Sequence, residues 1–441
     1  MKKVLAAFAA IAVIAGGCTK QQPQGAPDLG PIQVLVSGSP DEIAAYKTLI
    51  EAYKKARPGT EVQLLEASSS GDLTTKLSTS IAGGAPPDAF LMNYRLYGQF
   101  ASKNAVEPVD ERLKASKVIK ASDFYQQAMS AFRWGGKQMC MPQNVSSLQV
   151  YYNKALFTKY GVALPKDGWT WNDFLGTAQQ MTRDAAGHQI KAGETEGGPA
   201  PKAAVHGAGV EPVIIRVAPL VWSNGGKLVD DDQKPTRFTF DDKASLEALR
   251  NFIDLRIAYG VTPTDEEVKA ADLVSRFTKG QLAMLFESRR VTPTLRNAKD
   301  LDWDVVSLPR YGNPAGILHS DAYCITAGSK HKDAAWSFIE YAMSPDGQKI
   351  ITATGRTVPS HIEVSKSDAY LDPTKAPKNS KVWLDAVPHV RAVPTISTWV
   401  EIEAAVEGIL ENAVNRGDKL DAVVAEIDKQ TKPMFARGVT P

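Results

Sequence analysis

The chain has 441 residues, a formal charge of +2, 43% hydrophobic residues and 23% charged ones. That is the composition of folded chains with a sizeable core, and at roughly 150 residues per domain it allows two or three units. Wholesale disorder is excluded, and a near-neutral balance without long basic runs gives no electrostatic footprint for DNA or RNA.

At the N-terminus, Lys2 and Lys3 form a positive region, Val4 to Ile14 a short apolar run, and Ala15-Gly16-Gly17 the small residues of a cleavage site. The apolar run is shorter than the roughly 20 residues of a spanning helix, which favours export over a permanent transmembrane anchor. Small residues followed at once by Cys18 resemble the bacterial lipobox, with Ala15 where that motif usually has a larger aliphatic residue. The resemblance implies a signal peptide over residues 1–17 and lipidation of Cys18. Residues 18–30, with their Gln, Pro and Gly, read as a flexible tether. No later segment is long and apolar enough to span a bilayer, so the expectation is a soluble, monomeric body held at a membrane surface by the lipid.

From Ile32 the pattern alternates strands and helices. The run Ile32 to Val36 is a strand, and Ser39-Pro40-Asp41-Glu42 is a capping box with Pro at the first helical position. Ile43, Tyr46, Leu49, Ile50 and Tyr53 follow at helical spacing. Val62 to Leu65, Leu73 to Ile81 and Asp88 to Met92 read as strand, helix and strand. This βαβαβ order predicts a parallel sheet covered by helices, whose ligands bind beyond the carboxyl ends of the strands. Trp134 to Lys137 reads as a hairpin turn, Leu148 to Asn153 as a strand, and Thr170-Trp171-Asn172-Asp173 as the capped start of a helix running to about Thr182. Ala185 to Lys202 reads as a surface loop, Ala203 to His206 as a strand, and Pro212 to Asn224 as an apolar helix kinked at Pro219. Helices are expected over Lys243 to Tyr259, Lys332 to Met343, Ile396 to Val414 and Leu420 to Met434. The fold class is α/β.

Motifs with strong catalytic signatures are missing: there is no G-x-S-x-G elbow, P-loop or H-E-x-x-H. The six histidines are scattered, with none four residues from another. Neither metal nor cofactor is expected. Cys140 and Cys324 have the spacing of neither a zinc site nor a redox pair. What remains is aromatic and polar residues at strand ends and turns, including Tyr94, Tyr97, Trp134, Trp171, Trp222 and Trp399. An aromatic face stacks on the C–H face of a sugar while Asp, Asn, Glu and Arg satisfy its hydroxyls.

The stretch Ile81-Ala82-Gly83-Gly84-Ala85-Pro86-Pro87-Asp88 is similar to a segment of the extracellular solute-binding proteins of bacterial ABC importers, in the carbohydrate group that includes maltose-binding protein. Further stretches agree in order: Leu148 to Phe157, Gly168 to Phe174, Phe277 to Met284, Lys332 to Gln348, and Gly355 to Pro359. The resemblance implies two α/β lobes linked by crossing strands, with a small-molecule ligand, a sugar or oligosaccharide, in the cleft and the importer's membrane subunits as partner. It places residues 31–141 and 321–356 in one lobe and 142–320 and 357–441 in the other. The ligand is expected to touch Ser39, Ser70, Asn93 and Tyr94 from the first lobe and Asn144, Trp222 and Trp399 from the second, with Glu287, Arg289 and Asp321 near the crossings. Where many members carry Gly-Arg-Trp or Gly-Pro-Trp, this chain has Ser288-Arg289-Arg290. Two adjacent arginines can grip a carboxylate or phosphate, which keeps open an anionic ligand such as a uronate or phosphorylated polyol. An exported glycan hydrolase and a structural or adhesive surface lipoprotein are the remaining alternatives. In the resembling fold the strands of Cys140 and Cys324 are antiparallel neighbours, so a disulfide between them is within reach.

Overall fold

The computed structural model describes residues 30–191 and 202–441. The signal peptide, Cys18, all of the tether but Gly30, and most of the loop expected over 185–202 lie outside the described residues. No helix among the described residues is long and apolar enough to cross a membrane.

The molecule is a two-lobed α/β protein built on two sheets. In the first, the order is Val62–Ala67, Ile32–Ser37, Ala89–Asn93, Asp321–Thr326, Val106–Glu107, with Cys140–Pro142 also paired to Asp321–Thr326. The first three strands are parallel, and Asp321–Thr326 runs antiparallel to Ala89–Asn93. Side chains alternate across a strand. Ile32, Val34 and Val36 therefore share one face with Ile43, Leu49 and Tyr53 of the helix Pro40–Ala56, and with Phe338 and Ile339 of Lys332–Met343. Leu35 points the other way, into a core with Leu73 and Leu77 of the helix Ser70–Ala82.

The second sheet has the order Trp303–Val306, Leu148–Asn153, Leu282–Ser288, His206–Gly209. Leu148–Asn153 is antiparallel to both neighbours, and His206–Gly209 is parallel to Leu282–Ser288. The helices Trp171–Met181 and Leu273–Thr278 pack on it, and Ile214–Ser223 packs on Lys243–Ile257. Pro219 lies inside Ile214–Ser223, as expected. The last two helices, Trp399–Arg416 and Leu420–Arg437, pack on each other. The first of them also contacts Tyr94–Ala101, which follows the strand Ala89–Asn93, so the C-terminal segment reaches across to the first sheet.

Cys140 and Cys324 face each other in antiparallel register and are joined by a disulfide, with their Cα atoms 4.4 Å apart. The expected strand at Ala203 to His206 is displaced: it begins at His206 and runs to Gly209. The hairpin turn at Trp134 to Lys137 is present, with Arg133–Trp134 paired to Lys137–Gln138.

Candidate functional site

A cavity of about 1010 Å³ lies between the two sheets and takes lining from both. The first sheet contributes Asn93, at the carboxyl end of its strand, and Asp321, its register partner on the antiparallel neighbour. The second contributes Glu287 and Ser288, at the carboxyl end of theirs. Open α/β sheets present ligands with side chains from such strand ends.

On the first side the polar groups are cross-braced. Asn93 caps the helix Tyr94–Ala101 by accepting from the Arg95 N–H, and its Nδ2 donates to Asp321 Oδ1 at 3.1 Å. Asn144 Oδ1 accepts from the Asp321 N–H at 2.9 Å, while its Nδ2 donates to the His319 carbonyl. Burial pushes the Asp321 carboxyl up, against the lowering pull of Asn93 and Arg356. It also pushes the His319 imidazole well below its usual range, so that ring is neutral at physiological pH. Ser70, in the first turn of Ser70–Ala82, lines the same wall.

On the second side sits a charge cluster with Glu287 and Arg216 buried at its centre. Glu287 Oε2 accepts from Arg216 Nη2 at 3.1 Å and from Arg290 Nη2 at 2.8 Å. Glu211 takes Arg216 Nη2 at 2.6 Å. Burial alone would raise the Glu287 carboxyl, but Arg216, Arg290 and the Ser288 N–H outweigh it and hold the group at about 2. Arg290 is raised in turn, chiefly by its hydrogen bond to Glu287. Arg216 reaches this position from inside the apolar helix Ile214–Ser223 and leaves Nε and Nη1 without hydrogen-bond partners.

Two further ion pairs border the cavity. Arg95 binds Glu403 of Trp399–Arg416 at 2.7 Å. Arg356 binds Glu42, which the Ser39 capping box orients, and its Nη1 donates to the Arg290 carbonyl at 3.3 Å. Arg356 thus ties the first sheet's leading helix to the end of the second sheet's central strand.

Of the residues expected at the ligand, Ser70, Asn93, Asn144, Glu287 and Asp321 line this cavity. Five do not. Ser39 is a helix cap whose N–H binds Glu42, so it is Glu42 that reaches the cavity. Tyr94 is fully buried, and its hydroxyl accepts from the Val393 N–H. Trp399 is 0% exposed, packed against Phe238 and Phe435, with Nε1 donating to Glu403. Trp222 is buried with Arg391 over its ring. Arg289 is enclosed between the Tyr370 and Trp383 rings at 4.4 and 4.8 Å, donating to the Gly355 carbonyl. Apart from Ser39, which is exposed, these residues are buried: the aromatics complete the core, and Arg290, not Arg289, faces the cavity. Among the described lining residues Phe252 supplies the one phenyl, phenol or indole ring, so no tryptophan platform is present.

Sequence reasoning passed over Glu42, Arg95, Glu211, Arg216, Glu403, Glu407 and Glu411, all of which line the cavity. Two signals were available: an arginine inside the otherwise apolar run Ile214 to Trp222, and glutamates spaced four apart on one helix face.

The family model for bacterial extracellular solute-binding protein matches residues 37–349. A binding protein of Brucella abortus is 22% identical over 406 residues, 90% of this chain and 92% of that one. Among solved structures, an ABC substrate-binding protein from Listeria monocytogenes in complex with cycloalternan is similar at a TM-score of 0.81 and 24% identity, over 92% of this chain and 99% of that one. UgpB from Mycobacterium tuberculosis in complex with glycerophosphocholine is similar at a TM-score of 0.77 and 20% identity, over the same shares.

Proposed function

The chain belongs to the bacterial extracellular solute-binding proteins, and from that premise we propose that it binds a sugar or oligosaccharide in the cavity between its sheets and delivers it to the membrane subunits of an ABC importer. The observation that carries the reading is the convergence of hydrogen-bonding groups from both sheets on one cavity large enough for an oligosaccharide: Asn93, Asn144 and Asp321 on one side, Glu287, Ser288 and Arg290 on the other. Carboxylate, amide and guanidinium groups in a fixed array match the donors and acceptors of a polyol. Cycloalternan, bound in the similar Listeria structure, agrees with this. An anionic solute is the second reading, favoured by Arg216 and Arg290, but both already face Glu287.

Residues 31–141 with 321–356 form one lobe in this proposal, and 142–320 with 357–441 the other. Shared strand pairing of Ala89–Asn93, Cys140–Pro142 and Asp321–Thr326 supports it. Closure of the lobes over the ligand produces the form the importer recognises. The protein acts by binding and not by turnover, and is tethered through a lipid on Cys18.

Titration of intrinsic fluorescence against neutral and amino-bearing oligosaccharides tests the reading. Saturable binding with the sugar recovered unchanged is expected; release of hydrolysis products, or no binding across the panel, overturns it.

A further inference from the structure

We propose that one end of the cavity receives a protonated amine, so that the solute is a hydroxylated compound carrying an ammonium group: an amino sugar, or an oligosaccharide containing one. This rests on the carbohydrate reading above and narrows it.

The chain as a whole is slightly positive, yet its cavity is acidic. Nine carboxylates line it against five guanidinium groups, and no lysine is among the described lining residues. Arg95 is occupied by Glu403, Arg356 by Glu42, and Arg216 and Arg290 by Glu211 and Glu287, while the fifth, Arg256, acts electrostatically on Glu267 and Asp265. Once these pairs are formed, Glu407 and Glu411 are left with neither an ion pair nor a hydrogen bond among the described residues. They follow Glu403 at successive four-residue steps on Trp399–Arg416, so all three share one helix face. Like charges so arranged repel. Partial desolvation on the cavity side raises the Glu407 carboxyl, and Glu411, Glu211 and Glu403 push it further the same way against the smaller opposing pull of Arg95. An ammonium placed among them relieves that repulsion and gains charge-assisted hydrogen bonds.

A second observation comes from Arg216. Its side chain is 2% exposed, Nη2 is shared by Glu211 and Glu287, and Nε and Nη1 have no partner. Buried donors left unpaired are costly, so this edge of the guanidinium calls for an acceptor oxygen. A carboxylate or phosphate there would sit against Glu211 and Glu287. A hydroxyl or ether oxygen carries no such penalty. Glu211 connects the two features, because it binds Arg216 and acts electrostatically on Glu407. An acceptor oxygen near a cation is the pattern of an amino alcohol, the unit that amino sugars repeat.

The test is calorimetric titration near pH 6.5 with neutral, N-acetylated and free-amino mono- to trisaccharides in α and β linkage. At least tenfold tighter binding of an amino form than of its N-acetylated and neutral counterparts is expected. That preference should shrink between 0.05 and 0.5 M salt, as screening requires. It should also vanish in the Glu407→Gln/Glu411→Gln variant, whose exposed positions leave folding intact by circular dichroism. Neutral sugars binding as tightly as the amino forms would overturn the inference and leave the carbohydrate reading standing. An amine preference that survives in the double variant would overturn the assignment to this helix face. Absence of binding to every sugar would overturn both.

Discussion

Glu287 is the residue at which burial and charge oppose each other most directly. Its side chain is 3% exposed, a setting that disfavours a carboxylate, yet two guanidinium groups and a backbone N–H keep it ionised. Replacing it by Gln leaves Arg216 buried with half its compensation gone. Removal of one partner from a buried pair costs about 3–5 kcal/mol, so Glu287→Gln should lower the unfolding free energy by that order, read from urea titration, and abolish ligand binding. The wild-type pH dependence follows from the sign of the shift. A folded pKa of about 2, below the usual carboxylate range, means the unfolded chain binds more protons on acidification. The stabilisation is therefore complete above about pH 4.5 and is lost as pH falls toward 2. Urea midpoints across that window should fall steeply in the wild type and less steeply in Glu287→Gln. Trp399 belongs to the opposite category. Fully buried against Phe238 and Phe435, it acts through packing, and Trp399→Ala should cost about 3–5 kcal/mol of stability. A variant of unchanged stability and weakened sugar affinity would restore the stacking role that its burial argues against.

At the scale of elements, the sequence was most legible where a side chain closes a local hydrogen-bond loop. The capping boxes at Ser39 and Thr170 mark helix starts at Pro40 and Trp171, since each satisfies backbone donors that nothing else nearby can reach. His206–Gly209 was less legible because its reason is tertiary. With two glycines in four residues it has little intrinsic strand preference, but a Cβ on Gly207 would lie 1.9 Å from the Ala178 carbonyl oxygen, so glycine is what lets the helix Trp171–Met181 approach the sheet. The disulfide is legible only through long-range register, since 184 positions separate its cysteines. Closing so long a loop removes unfolded-chain entropy worth roughly 5 kcal/mol in the loop-entropy model. Protein produced from Gly30 onward, unfolded without reductant, should therefore show no free thiol, and Cys140→Ala/Cys324→Ala should be less stable by up to about that amount. Two titrating thiols would refute the bond.

For the whole molecule, the strand ends that line the cavity could be read from the βαβαβ order, but the residues that fill it from outside the strands could not. Glu42, Glu403 and Arg356 arrive from helices and a turn remote in sequence, and their meeting depends on how the lobes and the C-terminal helices dock. The same docking supplies the ties between the sheets: Arg356 joins Glu42 to the Arg290 carbonyl, and Arg95 joins the end of the first sheet to Glu403. These links are few and partly solvent-facing, and exposed ion pairs contribute little each. A ligand that hydrogen-bonds both walls adds to them, and it can favour the closed arrangement only by as much as it binds that arrangement better. At a hundredfold excess over Kd, binding should stabilise the protein by about 2.7 kcal/mol and raise Tm. Small-angle scattering on the same samples should show a smaller radius of gyration with ligand than without. A rise in Tm with no contraction would mean that the cavity is already closed when empty and that ligand enters without lobe motion. In that case Arg356→Ala, which cuts the tie between the walls, should expand the empty protein, whereas a freely hinged protein should change little.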